Sequence, residues 1–449
     1  MGKLFGTDGI RGEANRYPMS AEIAFGVGQA MAHLFKKKGH RSVVIIGKDT
    51  RISGYMLESS LEAGITSMGG QAYLVGVFPT PGIAFATLSM RADAGVVISA
   101  SHNPYQDNGL KIFGGDGYKL TDAQEEVIED LILNDKLTDM LPSAKDMGRA
   151  ARLEGVNGRY IVFLKNTFPR NLSLEGMKIA LDTANGATYR VAPDAFVELG
   201  ADVEVIHKTP DGMNINDQCG SQHTERLKKK VVECGAAIGL AFDGDGDRLI
   251  AVDEKGNEIT GDQILIICAN MLKKDGKLKN DLLVSTVMSN LGLTVACKKY
   301  GFRHHASKVG DRYVLEDMQR LGAIIGGEEA GHMIFLDHHT TGDGIIAALQ
   351  LVTVMIREGK PLSELARQMD IFPQKLINVD VKSKPDVSAV PRIVEVIKQV
   401  EQELRDEGRV LVRYSGTQNM CRVMVEGPSL EVTEKHCRQI ADVVKQEIG

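Results

Sequence analysis

Short continuous apolar runs alternate with stretches whose apolar residues recur at helical spacing, and the alternation restarts twice along the chain. Val43 to Gly47 (VVIIG) reads as a buried strand, Tyr55 to Met68 as a helix, Ala72 to Val77 as a second strand and Ala94 to Ser99 (AGVVIS) as a third. Strands separated by helices point to βαβ units and a largely parallel sheet. A second block places strands at Lys178 to Asp182, Val203 to Ile206 and Ala237 to Phe242 (AIGLAF). A third places strands at Leu282 to Ser285 and Ala323 to Ile325, with helices at Gln263 to Lys273 and Asp311 to Leu321. The tail differs: strands at Lys375 to Val381, Arg409 to Val412 and Cys421 to Glu426, and helices at Ile393 to Leu404 and Leu430 to Ile448.

This pattern predicts an α/β protein. Three similar α/β domains with mixed, largely parallel sheets occupy 1–155, 156–257 and 258–371. A smaller α+β domain occupies 372–449, after a break near Pro373. Self-similarity between the blocks is faint, so the repeat is one of architecture.

Composition narrows the function. At 449 residues the chain exceeds what one hydrophobic core serves, and 43% hydrophobic with 25% charged residues is ordinary for a globular protein. The net charge of -6, with no long basic run and no tryptophan, disfavours nucleic acid as a partner. Six cysteines without a C-x-x-C pair read as buried free thiols in a reducing, cytoplasmic setting. MGKLFG lacks a secretory core and has Gly6 where a myristoylation signal needs Ser or Thr. The apolar run at 264–272 is too short to span a bilayer, so no membrane partner is expected.

The candidate chemistry lies in polar loops at strand ends, where ligands gather in open α/β sheets. Ser101 and His102, in Ser99-Ala100-Ser101-His102-Asn103-Pro104, offer a nucleophile or phosphate carrier beside an imidazole; alone, the same residues would serve as a turn stopped by Pro104. Asp243, Asp245 and Asp247 alternate with glycines in DGDGDR. Residues i, i+2 and i+4 of an extended segment point the same way, and three clustered carboxylates call for a hard cation. A calcium-binding EF-hand is excluded, because Arg248 stands where its sharp turn needs Gly and the flanks read as strands. Gly327-Glu328-Glu329-Ala330-Gly331-His332 could hold sugar hydroxyls. Arg413, Ser415, Gly416 and Thr417, with Arg422 on the next strand, form a plausible phosphate clamp. Arg11 and Lys111 are isolated cations of the kind usually found at surfaces.

These loops, in this order and over essentially the whole chain, resemble the α-D-phosphohexomutase family. GTDGIRG, DGMNIND leading into Cys219-Gly220-Ser221, and Thr340-Thr341-Gly342-Asp343-Gly344 resemble the branch that acts on glucosamine phosphates. The resemblance implies four domains around a central cleft, with hexose phosphates as small-molecule partners and a homodimer as the assembly entertained. It implies a phosphoryl group on Ser101 and Mg²⁺ held by Ser101, Asp243, Asp245 and Asp247. Glu328 would grip the sugar and His332 flank it, while Arg248 and Lys308 would contact a bisphosphate. Arg413, Ser415, Gly416 and Thr417 would anchor the non-reacting phosphate. Lys111 and His102 are the implied proton carriers, with Lys111 favoured if crowding by Arg11 and the metal lowers its pKa. The chain has Ala330 where the family pattern has Ser, and Gln418-Asn419 where it has Glu-Pro. Rival readings are a glucose or mannose phosphate mutase, a metal-dependent sugar phosphatase and a catalytically inert sugar-phosphate binder.

Overall fold

The computed structural model describes residues 4–6, 8–414 and 419–449. The chain divides into two compact units, Met1–Met288 with Phe302–Gln368, and Ser289–Gly301 with Met369–Gly449.

The larger unit holds three mixed sheets, each with parallel pairs on one side and antiparallel pairs on the other. Among the described residues the first has seven strands, in the order Phe5–Gly6, Gly9–Glu13, Asp107–Gly114, Ala94–Ile98, Val43–Lys48, Gln71–Val77, Arg149–Arg152. Val43–Lys48 pairs in parallel with both Gln71–Val77 and Ala94–Ile98. Ala94–Ile98 pairs antiparallel with Asp107–Gly114, placing Lys111 opposite Val97. Runs such as VVIIG and AGVVI are buried along their length because helices cover both faces. Helices Ala21–Leu34 and Gly54–Ser67 touch at glycines: a Cβ on Gly28 would lie 2.4 Å from the Leu61 carbonyl, and one on Gly64 2.1 Å from that of Phe25.

The second sheet runs Glu258–Ile259, Leu249–Asp253, Ile238–Phe242, Lys178–Asp182, Asp202–Ile206. The third runs Arg303–Ser307, Leu282–Thr286, Ile325–Gly327, Met333–Phe335. The strand expected at Ala323 to Ile325 thus lies two residues later. Ala323 and Ile324 are buried as apolar residues leading into it, so hydrophobicity alone does not mark the start of pairing. Helices begin at side-chain caps. Thr260 and Gln263 exchange hydrogen bonds at the start of Gly261–Lys274, and Asp343 accepts from Ile345 and Ile346 at the start of Gly344–Glu358.

In the smaller unit, Gln374–Asp380, Met420–Glu426 and Arg409–Tyr414 form an antiparallel sheet with Met420–Glu426 in the middle. Helices Pro391–Leu404 and Leu430–Ile448 bury Ile393, Val400, Ile440 and Val444 against it. Helix Leu291–Tyr300 belongs to this unit: Glu426, paired with Arg409 at 2.6 Å, accepts the Leu291 amide at 3.0 Å. The six cysteines are free, five of them buried and Cys234 half-buried. Among the described residues, no helix is long and apolar enough to cross a membrane.

Candidate active site

Ile98 ends its strand and the chain turns at Ser101, which is buried and has a left-handed φ of 53°. Its Oγ donates to Asp243 Oδ2 at 2.6 Å and lies 3.3 Å from His102 Nδ1. Asp243 follows strand Ile238–Phe242 in the second sheet. The loop closes on itself: Asp243 Oδ1 accepts the amides of Gly246 at 3.1 Å and Arg248 at 3.2 Å. Gly246 is required by its φ of 77°, and Gly244 by the approach of the two loops, since a Cβ there would sit 2.6 Å from the Ser101 carbonyl.

Asp243, Asp245 and Asp247 each present an oxygen within 4.8 Å of the others, and all three are buried. Burial, then Asp247 and Asp245, push the Asp243 carboxyl well above its ordinary range. Asp245 Oδ1 and Asp247 Oδ1 are buried without a hydrogen-bond partner among the described residues. Orphaned hard oxygens facing one another fit a divalent cation of the Mg²⁺ type.

Cations ring the carboxylates. Lys111 Nζ lies 2.8 Å from Asp245, 3.2 Å from Asp247 and 3.4 Å from Asp8. Arg11 pairs with Asp8, and Lys119 joins Asp8 to Asp311. His332 stands 3.6 Å from Asp247 and 3.7 Å from Asp311. A Cβ on Gly342 would come within 2.4 Å of the His332 ring, so the Thr-Thr-Gly-Asp-Gly segment packs against that imidazole. The expected lowering of the Lys111 pKa rests on a bound cation as well as on Arg11, whereas the protein's own groups act on balance in the opposite sense. Burial and Arg11 do depress it, but Asp245, Asp247 and Asp8 outweigh them and hold the ammonium well above its ordinary value. Nor is Lys111 a surface cation: its side chain is 2% exposed. His102 moves the other way, pushed down to about 4 by burial, Arg248 and Arg11.

A cavity of about 230 Å³ is lined by Ser101, Arg11, Asp247, Arg248, Glu328 and His332, among others. A wider one of about 690 Å³ shares Asp311 and His332 with it but does not reach Ser101 or the three aspartates. Glu328 accepts the Gly310 amide at 3.0 Å. Lys308 is exposed and lies over the Tyr313 ring, outside this group. Arg413 and Arg422 face each other in register in the smaller unit. Ser415, Gly416 and Thr417 lie outside the described residues.

Models of all four phosphoglucomutase/phosphomannomutase domains match: domain I at 2–139, domain II at 158–256, domain III at 260–372 and the C-terminal domain at 376–443. A phosphoglucosamine mutase of Syntrophobacter fumaroxidans is 76% identical over 449 residues, with 100% of both chains covered. The chain belongs to the phosphoglucomutase/phosphomannomutase family. A phosphoglucosamine mutase of Syntrophus aciditrophicus is 64% identical, again over 100% of both chains. Among solved structures, a phosphoglucomutase/phosphomannomutase family protein of Burkholderia thailandensis superposes with a TM-score of 0.81 at 22% identity, covering 99% of this chain and 97% of its own. The N-acetylphosphoglucosamine mutase of Aspergillus fumigatus, solved with GlcNAc-6P and magnesium, gives 0.66 at 16% identity, covering 99% and 96%. Membership makes the protein an enzyme, an isomerase that works by intramolecular phosphotransfer.

Several residues around the centre of this phosphoglucomutase/phosphomannomutase family member escape sequence reasoning. Asp8 and Asp311 carry the outer charge network. Thr80, at the start of helix Thr80–Ser89, donates its hydroxyl to Asp245 at 2.6 Å and its amide to the Asp245 carbonyl at 2.9 Å. Arg51 and Asn216 hold the Ser101 loop from behind. Only Asp8, inside GTDGIRG, and Asn216, inside DGMNIND, stood in segments already singled out. A second polar group brings Asp182, His207 and Cys219 together. Asp182 accepts the Ala184 and Gly220 amides and lies 2.9 Å from His207 Nδ1, and Arg226 approaches His207 Nε2 at 3.2 Å.

Proposed function

We propose that the enzyme interconverts glucosamine 6-phosphate and glucosamine 1-phosphate through a phosphoserine at Ser101 and a 1,6-bisphosphate intermediate. The observation that carries this reading is the Ser101 hydroxyl, 2.6 Å from Asp243 within the three-aspartate cluster. Preference for the amino sugar rests on the 76% and 64% identical phosphoglucosamine mutases.

A free hydroxyl of the sugar monophosphate attacks phosphorus on Ser101. The new sugar O–P bond forms, the Oγ–P bond breaks, and the proton lost by the sugar hydroxyl ends on Oγ. His102 suits the transport of that proton, being neutral and 3.3 Å from Oγ. Lys111, held protonated, serves instead as a fixed positive charge facing the developing negative one, with Arg11 and Arg248. The bisphosphate then turns, and its other phosphoryl group returns to Ser101 by the reverse step. Asp243, Asp245 and Asp247 would hold Mg²⁺, which when bound neutralises charge on the phosphoryl oxygens. Glu328 and His332 line the cavity as sugar contacts. Arg413 and Arg422 supply the clamp for the non-reacting phosphate.

Coupled assays with glucosamine, glucose and mannose 6-phosphates side by side test the reading, together with intact-mass measurement of the protein. Glucosamine phosphate should give the highest kcat/KM. Part of the wild-type protein should be heavier by one phosphoryl group, and Ser101→Ala should lose that mass and the activity together. Equal turnover of the three sugars would move the substrate to the glucose or mannose branch. An active Ser101→Ala enzyme would remove the covalent relay, and steady release of free phosphate would indicate a phosphatase.

A further inference from the structure

Two donors from different sheets grip the main chain of the Ser101 loop. Arg51 follows strand Val43–Lys48 and is fully buried. Its Nη2 donates to the carbonyls of Ser101 at 3.0 Å and Asn103 at 2.8 Å. Asn216, beyond strand Asp202–Ile206, uses its Nδ2 for the same two carbonyls, at 2.8 Å and 2.9 Å. Arg51 also donates to the carbonyls of Pro104 and Asp107. Its Nε is held by Asp49 at 2.8 Å; Asp49 takes the Ser99 hydroxyl at 2.6 Å, and Ser99 Oγ takes the Ser101 amide at 2.9 Å. Both main-chain groups of Ser101 are therefore fixed while its backbone sits in the left-handed region that a serine seldom adopts.

Asn216 belongs to the DGMNIND segment, to which the proposed reaction gives no role. Asp211 and Asn214 are spent folding that segment: Asp211 accepts the Met213 and Asn214 amides, and Asn214 donates to the Thr209 carbonyl. The Ile52 amide donates to the Gly212 carbonyl, seating the segment beside Arg51. Asn216 is left with its amide group turned onto the nucleophile loop and its own φ at 59°.

We propose that Asn216, with Arg51, is a positioning residue that holds Ser101 in its left-handed conformation and so aims Oγ at the aspartate cluster. The clamp rests on the reading of Ser101 as the phosphoryl carrier, and it makes that carrier's aim depend on the docking of the second sheet's loop against the first.

Asn216→Gly tests it, because glycine keeps the left-handed φ freely and removes only the donor, leaving Arg51 to satisfy both carbonyls. Asn216→Asp keeps the shape and sets an acceptor against two acceptors. In Asn216→Gly the unfolding midpoint should stay near wild type, while Asn216→Asp should lower it. Phosphoryl transfer from pre-phosphorylated enzyme to sugar phosphate, measured in single turnover, should slow about ten- to a hundredfold. The KM for sugar phosphate should hold, and Asn216→Asp should be the slower. A wild-type transfer rate in Asn216→Gly would overturn the proposal, as would losses in rate, KM and midpoint that move together. Crystal structures of both proteins separate this from the phosphoserine reading. If wild-type protein takes no phosphate from a hexose 1,6-bisphosphate, the phosphoserine reading fails, and the clamp is then judged by geometry. Ser101 leaving the left-handed region in Asn216→Gly would uphold the clamp, and an unchanged Ser101 would refute it.

Discussion

The larger unit buries its charges in opposed sets, whereas the smaller unit sets two like charges side by side. Around Ser101, the carboxylates of Asp8, Asp245, Asp247 and Asp311 meet Arg11, Lys111, Lys119 and His332 at ion-pair distances. In the C-terminal hairpin, Arg413 and Arg422 oppose each other across two strands, and among the described residues neither has a carboxylate partner. Burial, then Arg422, lower the Arg413 guanidinium, and the buried Arg422 Nε has no hydrogen-bond partner among the described residues. A buried, balanced network is costly to break from either side. An unbalanced cationic pair is costly to keep and is relieved by an anion. The first arrangement suits a reaction centre that must keep its geometry between turnovers, and the second suits a site filled by each arriving phosphate.

Asp245→Asn should break the balanced side hardest. Removing one of three clustered carboxylates should cut kcat by more than about a hundredfold and weaken activation in a Mg²⁺ titration. An unchanged titration would mean that the aspartates do not hold the metal. Lys111→Met should cost about 3–5 kcal/mol in urea unfolding, because Asp245 and Asp247 lose the cation opposing them. The loss should shrink when Mg²⁺ is added, since that ion opposes the same carboxylates.

His339 adds a pH-dependent contrast. Its Nδ1 accepts the Thr340 amide at 2.9 Å and its Nε2 lies 2.8 Å from the Pro81 carbonyl, so the fold requires the neutral ring. Burial moves its pKa from 6.5 down to about 4. The contribution is fully present above the unfolded value of 6.5 and declines as the pH falls towards about 4, because the unfolded chain takes the proton first. Between pH 7 and 4.5 this removes about 2–3 kcal/mol. Urea unfolding of wild type and His339→Gln at both pH values checks it: the fall should be smaller in the variant by that amount. Arg422→Ala should have the smallest effect on stability, unchanged or improved by about 0.2–1 kcal/mol. Its KM for sugar phosphate should rise about ten- to a hundredfold with less change in kcat. A clear loss of stability would place Arg422 among the structural ion pairs and collapse the contrast with Lys111.

Strand ends and their loops were legible because apolar runs and Gly-Asp alternation are local properties. Lys178 to Asp182, Asp311 to Leu321 and Leu430 to Ile448 match their observed elements at both ends. Arg303–Ser307 (RHHAS) was hidden because an edge strand with a polar sequence carries no apolar run. Lys111 looked like a surface residue because what buries it, Asp245 and Asp247, lies 134 and 136 positions away. Arg51, Thr80 and Asn216 share that difficulty. Each acts on a loop from another part of the chain, so even DGMNIND, which contains Asn216, does not say what that residue holds.

The Ala330 side chain is exposed although its turn is held, the Gly261 amide donating to the Glu329 carbonyl and the Leu249 amide to the Gly331 carbonyl, while Ser101 and the aspartates are buried between loops of two sheets. Replacing the Ala330 side chain therefore leaves the main-chain bonds around it in place, whereas a change at the buried loops must be matched by changes in distant segments. Over evolutionary time one exposed side chain is free to vary while the buried loops are inherited together.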